Sequence, residues 1–275
     1  MSERIEPTRV RQPVMYVPHG GGPWPFVDMG GFMPARDIEA LRAYFVALPQ
    51  KLPAPPKALL VVSAHWEAAA PTVMTSPQPP MYYDYGGFPP EAYAITWPAP
   101  GNPALAERVV QLLAEAGIAA KTDARRGFDH GTFVPFKLSW PEADLPTIQL
   151  SLKAGLDPRE HLAIGRALAP LRDEAVLILG SGMSYHNMRD FGTTTAHRAS
   201  LVFDSWLKEA TTADPVTRAQ RLGDWASAPG ARHAHPREEH LLPLMVVAGA
   251  AGTDRGVVGY GGVAMGVRLS SYHFG

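Results

Sequence analysis

The 275 residues contain no cysteine. Disulfides are therefore excluded, and with them every thiolate-held metal, including structural zinc sites and iron–sulfur clusters. Charge is also scarce: 19% of residues are charged, the net charge is −1 and the pI is about 6.8. Without a basic field there is no surface for nucleic acid or an anionic membrane, so neither partner is expected. The low charged fraction hints at surface covered in a deep cleft or between subunits, and a monomer or small homo-oligomer is expected. No run approaches the ~20 apolar residues of a membrane span. The polar start, MSERIEPTRVRQP, lacks the apolar stretch of a signal peptide, so a cytoplasmic location is expected. Linkers, charge blocks and repeats are absent too, and residues 1–275 read as one catalytic domain.

What is present is 46% hydrophobic residues, 26 glycines and 28 prolines. Apolar runs at 14–17, 58–63, 147–152 and 175–179 lack strict alternation, as expected for strands covered on both faces. Helical patterns occupy 37–48, 102–116, 158–171, 199–210 and 236–250. In the clearest, Asn102 can cap, Pro103 suits the first turn, and Leu105, Val109, Leu112 and Ala116 line one face before Gly117 offers a stop. This alternation predicts a single-domain α/β/α sandwich around a central, mostly parallel or mixed sheet. Residues 256–271 could add strands of unread direction. The stretch SPQPPMYYDYGGFPPEAYAITWPAPGNP fits neither period. It is either an aromatic loop packed on the core or a wall over a flat apolar ligand.

Ligands of open α/β sheets bind beyond the carboxyl ends of the strands, and three histidines fall there. His19 follows VMYVP, His65 follows ALLVVSA and His186 follows AVLILGSGMSY. One such histidine is ordinarily a polar loop residue; three on three strands point to a shared site. His130, in a loop flanked by Asp129 and Gly131, and His240, near the start of an apolar helix, have suggestive settings. Pro243 in that helix removes an N–H that the Glu239 carbonyl would accept. His233 and His235 read as a solvated loop. Imidazoles without thiolates suit Fe, Zn, Cu or Ni, and three protein ligands suffice if water or substrate completes the shell. A rival reading takes HGGG as an esterase oxyanion loop and GMSYH as a near nucleophile elbow with Ser184 attacking, but His186 stands where the elbow needs glycine.

Eight stretches, in order, resemble the class III extradiol ring-cleavage dioxygenases, in the DOPA-4,5-dioxygenase-like branch related to the protocatechuate 4,5-dioxygenase beta subunit. They are HGGGP (19–23), VVSAHWE (61–67), YDYGGFP (83–89), WPAPG (97–101), GFDHGTFVP (127–135), LPTIQLSL (145–152), GSGMSYHN (180–187) and HPREEHLLPL (235–244). The resemblance implies a mononuclear non-haem Fe(II) site, with Zn(II) also acceptable to three histidines, O2 as co-substrate and a catechol as substrate. It implies His19 and His65 as metal ligands, with His240 the third and Glu239 its alternative. It makes His186 the acid/base residue, with a place at the metal as its other role, and His130 a second active-site histidine. Trp97 stands where tyrosine is usual, which bears on the choice of catechol. The alternatives are a metal- or serine-dependent hydrolase, and a non-enzymatic Memo-like binding protein on the same fold. Gly20 to Gly22 are expected to bend the chain and leave room for substrate.

Overall fold

The structure, a computed structural model, describes residues 10–28 and 33–275. Among them, eight strands form one mixed sheet: β1 (Val14–Pro18), β2 (Ala58–Ala68), β3 (Thr72–Met74), β4 (Lys121–Asp123), β5 (Thr147–Lys153), β6 (Val176–Gly182), β7 (Gly256–Ala264) and β8 (Val267–Phe274). Their order is β4-β3-β5-β2-β6-β1-β8-β7. The centre, β5-β2-β6-β1, is parallel throughout. Its strands are almost wholly buried, which is why they read as continuous apolar runs instead of alternating ones. Both flanks turn antiparallel: β3 runs against β5, and β8 runs against β1 and pairs with β7 as a hairpin. That hairpin settles the direction of the C-terminal segment.

Among the described residues, eight α-helices accompany the sheet: α1 (Ala35–Val46), α2 (Pro103–Glu115), α3 (His130–Ser139), α4 (Pro158–Leu168), α5 (Thr194–Thr212), α6 (Pro215–Gly223), α7 (Ala231–Ala234) and α8 (Leu242–Ala250). The capping expectation at α2 holds, since the Asn102 side chain accepts from Leu105 N at 3.0 Å. The two faces of the sheet are visible in β6, whose side-chain directions alternate. A Cβ on Gly180 would meet the Pro243 carbonyl of α8, whereas Ser181 points the opposite way, to the Gly131 carbonyl of α3. Helices thus cover both faces, as the sandwich requires.

Several boundaries differ from those read in the sequence. β2 runs on to Ala68, so His65 lies inside the strand, in a stretch where pairing with β5 loses its register between Val62 and Glu67. α5 begins at Thr194, where the Thr193 hydroxyl accepts from Ala196 N at 3.0 Å. α8 starts only at Leu242, with Pro243 in its first turn, where a missing N–H costs nothing. Glu239 and His240 therefore sit in a turn before the helix, and the Glu239 carbonyl is no helical acceptor deprived by the proline. His130 is the first residue of α3 and not part of a loop.

Candidate metal centre and cavity

Because β1, β2 and β6 are parallel, their carboxyl ends lie at one end of the sheet, and the histidines that follow them or sit near those ends meet there. Three imidazoles turn the same atom inward. The Nε2 of His65 lies 3.1 Å from that of His19 and 3.3 Å from that of His240. Their outer nitrogens are occupied. His19 Nδ1 is 2.9 Å from Ser181 Oγ, and that hydroxyl spends its own proton on the Gly131 carbonyl. Ser181 must therefore accept, which places the His19 proton on Nδ1. His240 Nδ1 is 2.9 Å from Glu239 Oε1, and His65 Nδ1 is 3.2 Å from Asp84 Oδ2. A carboxylate only accepts, so the His240 proton too lies on Nδ1; the His65 approach is an ion-pair distance, and Asp84 Oδ2 takes no hydrogen bond. The lone pairs of His19 and His240 thus both face the His65 Nε2, an arrangement that a cation suits.

Protonation cannot relieve it easily. Burial first, then the neighbouring imidazoles, holds His19 and His240 well below the ordinary histidine range. Burial and then the charge of His130 push His65 down to about 3. The donor set thus fits a divalent metal of borderline softness, three neutral imidazoles, two of them with tautomers fixed from behind.

Two further histidines border this trio. His130 hydrogen-bonds Asp84 Oδ1 through its Nδ1 at 2.8 Å and its backbone N–H at 3.0 Å, leaving Nε2 for the cavity. Asp84 thus orients two imidazoles. Burial would raise its pKa, but the hydrogen bond and charge of His130 win and lower it. His186 stacks on His240, ring centres 3.3 Å apart, with Nδ1 3.1 Å from Glu239 Oε1. The same Glu239 oxygen therefore serves His186 and His240. For Glu239, too, burial is outweighed by the His186 hydrogen bond, which holds its pKa low. Two sets of side chains have ligand atoms within 4.8 Å of one another: His19, His65 and His130, and His186, Glu239 and His240. Glu239 directs its carboxylate at imidazole nitrogens, so the expectation of one ligand from the Glu239–His240 pair meets a geometry in which each has its own task.

The turn bearing these two residues is clamped. The His240 carbonyl accepts from Met183 N at 3.0 Å and from the Tyr16 hydroxyl at 2.8 Å. A Cβ on Gly182 would stand 2.1 Å from that carbonyl. The glycines at 180 and 182 are thus what lets the turn and α8 lie directly on β6.

The glycines after His19 divide their labour, contrary to the uniform expectation. A Cβ on Gly20 would strike Trp24 at 2.5 Å; Gly22 has φ +53° and would strike Phe88 at 2.8 Å. Only Gly21, with nothing within 4 Å, opens space. The aromatic stretch divides among cavity wall, core and surface, where Tyr82 and Tyr93 are exposed. Tyr85 and Phe88 line the cavity, but Trp97 is fully buried and donates from Nε1 to the Trp140 carbonyl. Trp97 therefore does not select the substrate by contact. His235 is not in a solvated loop: it is fully buried with Nε2 3.1 Å from the Ser184 carbonyl. Ser184 is buried, lies outside the cavity wall and accepts from Ser270 N at 2.9 Å, so the nucleophile-elbow reading fails. Asp84 and Ser181 went unnoticed in the sequence. The Y-D-Y and G-S-G settings carried them, but neither residue type announces a part in orienting a histidine.

Residues 17–273 match the family described as the catalytic LigB subunit of aromatic ring-opening dioxygenase. The 4,5-DOPA dioxygenase extradiol of Beta vulgaris is 41% identical over 75% of this chain and 81% of its own length. The dioxygenase tasH of Hapsidospora irregularis is 36% identical over 96% of this chain and 85% of its own. A crystal structure of an uncharacterized protein from Escherichia coli K12 superposes with a TM-score of 0.79 at 30% identity, covering 96% of this chain and all of that one. With its imidazoles gathered at the carboxyl ends of the sheet's parallel centre, the chain belongs to the LigB family of aromatic ring-opening dioxygenases, in the extradiol, 4,5-DOPA-dioxygenase-like branch.

Proposed function

We propose that this protein opens a catechol ring beside its two hydroxyls, with Fe(II) held by His19, His65 and His240. The observation that carries the reading is the inward convergence of three Nε2 atoms, at 3.1 and 3.3 Å, with His19 and His240 backed by hydrogen-bond acceptors on Nδ1 and His65 by the Asp84 carboxylate at ion-pair distance. Fe(II), when bound, supplies the electron relay by which O2 reacts with a diol. Both oxygen atoms enter the product, and the carbon–carbon bond adjacent to the diol breaks.

The chain's own part is to position, to exclude water and to move protons. His186 takes a phenolic proton on Nε2, and its Nδ1 against Glu239 stabilises the imidazolium that results. His130, held by Asp84, presents Nε2 as a second donor or acceptor toward substrate or oxygen. The aromatic and methionine wall keeps the site dry, which strengthens these interactions. Glu239 is assigned to orientation and not to the metal. One catalytic domain spanning residues 1–275 is part of this reading.

The test pairs metal analysis with oxygen uptake. Anaerobically Fe(II)-loaded protein is expected to consume one O2 per catechol and to form a yellow semialdehyde, while the Zn(II) form binds metal and stays inactive. His19→Ala and His65→Ala should each lose tight metal binding, whereas His186→Ala should keep the metal and lose turnover. Absence of uptake across a catechol panel at confirmed iron occupancy refutes the reading, and full metal loading of His65→Ala refutes the ligand set.

A further inference from the structure

The cavity beside the imidazoles has a volume of about 470 Å³. A benzene ring is accommodated in ~150 Å³, so a catechol leaves room for a substituent several carbons long. The character of the remaining wall decides what that substituent can be. Apart from the histidines and small glycine surfaces, it consists of Tyr85, Phe88, Met183, Met188, Phe191 and Met265. The Tyr85 hydroxyl is spent on the Ala92 carbonyl at 2.6 Å, so its ring meets the cavity as an apolar surface. Among the described lining residues there is no lysine, arginine, asparagine, glutamine, serine or threonine.

Two cations that touch residues of the site are engaged elsewhere. Arg126 pairs with Asp129 and donates to the His65 carbonyl, and Arg237 pairs with Glu67. Arg189 neighbours Met188 but is exposed and is not part of the wall. The segment 29–32 reads Met-Gly-Gly-Phe and carries no ionisable group. The charges that stand behind the imidazoles, Asp84 and Glu239, are negative. Apart from the imidazoles, a carboxylate in this cavity would give up water and find no side-chain donor. Thioether side chains, in contrast, adapt to varied apolar shapes.

We propose that the site is specific for catechols bearing an uncharged, apolar substituent, that it discriminates against carboxylate-bearing ones such as catecholic amino acids, and that the methionine wall sets this preference. The inference rests on the catechol reading above and adds the class of substituent.

The experiment uses Zn(II)-loaded protein, so that binding is read without turnover. The visible spectrum of bound 4-nitrocatechol reports its displacement by 4-butylcatechol or by 3-(3,4-dihydroxyphenyl)propionate, which share the diol and differ at the tail. The butyl compound should displace the probe at a concentration at least ~100-fold lower, because only the tail's desolvation differs. Met188, 64% exposed at the cavity mouth, accepts a charge without disturbing the fold. Met188→Lys should shrink the ratio at least ~10-fold by giving the carboxylate a partner. Equal or tighter binding of the propionate overturns the proposal, as does a ratio that Met188→Lys leaves unchanged. Failure of 4-nitrocatechol to bind at all overturns instead the catechol reading beneath it.

Discussion

Gly182 allows the centre to be displaced without removing a single donor atom. Alanine there would place a methyl group 2.1 Å from the His240 carbonyl oxygen and 3.1 Å from its carbon. Real Cβ contacts do not fall below 3.0 Å, so the turn must retreat by about 1 Å. It cannot do so freely, because the same oxygen is held by Met183 N at 3.0 Å and Tyr16 Oη at 2.8 Å. Gly182→Ala must therefore break these bonds and carry the His240 imidazole with the backbone. Designed sites require placement within ~0.5 Å, and a ~1 Å error costs on the order of 100-fold. Zinc affinity of the apoprotein, measured by competition with a chromophoric chelator, is expected to fall at least ~100-fold. The strain should lower stability by about 1–3 kcal/mol while leaving the circular dichroism spectrum native. Gly21→Ala is the comparison, since its methyl group meets nothing within 4 Å, and its zinc affinity should match the parent. A folded Gly182→Ala protein that binds zinc as tightly as the parent refutes both the clamp and His240 as a ligand.

Other consequences follow from the same geometry. Ser181→Ala deprives His19 Nδ1 of its acceptor, and metal affinity should drop ~10–100-fold in the same competition assay, with little change in the fold. Asp84→Asn keeps the shape but removes the charge that orients His65 and His130; kcat should fall at least ~10-fold, and an unchanged kcat would deny Asp84 this role. Ser184→Ala should retain full oxygen uptake and lose about 1 kcal/mol of stability in urea titration, since the hydroxyl only caps Ser270 N. Stability should also respond to acid. Burial lowers His235 to about 3 and His273 to about 4, so the unfolded chain binds protons that these buried rings refuse. Their effect is nil above the unfolded value near 6.5 and grows as pH falls below it, to about 4 kcal/mol from the two together at pH 5. Urea midpoints that match at pH 7 and pH 5 would contradict this.

How far the sequence could be read depended on whether a residue's task shows in its type. The central strands were legible because burial on both faces demands unbroken Val, Ile and Leu, as in Leu59–Val62. The five histidines that the structure brings together were legible because each follows or adjoins a distinct apolar element. The carboxyl end of β2 was not, since the strand continues past its apolar run through His65 and the ladder irregularity. The helical assignment of Glu239 and His240 failed for a related reason. Apolar periodicity blended the turn into α8, while the hydrogen bonds from Met183 N and Tyr16 that shape the turn come from residues distant in sequence. His235 looked solvated because its neighbours in the chain are polar; its neighbours in space are Phe203, Trp225 and Ser184.

The three convergent nitrogens are far apart along the chain: His19 and His65 are separated by 46 residues, and His65 and His240 by 175. No short chelating motif joins any two of these three, although His233 and His235 lie close to His240 in the chain and give the unfolded state some affinity. Binding is then linked mainly to the native state. Free metal at 100 times its dissociation constant should add about 2.7 kcal/mol to the unfolding free energy, and the melting temperature should climb with metal concentration. Mass action works in the other direction as well. A chelator that strips the ion removes that same increment, so metal scarcity would lower the protein's resistance to unfolding and proteolysis as well as its activity.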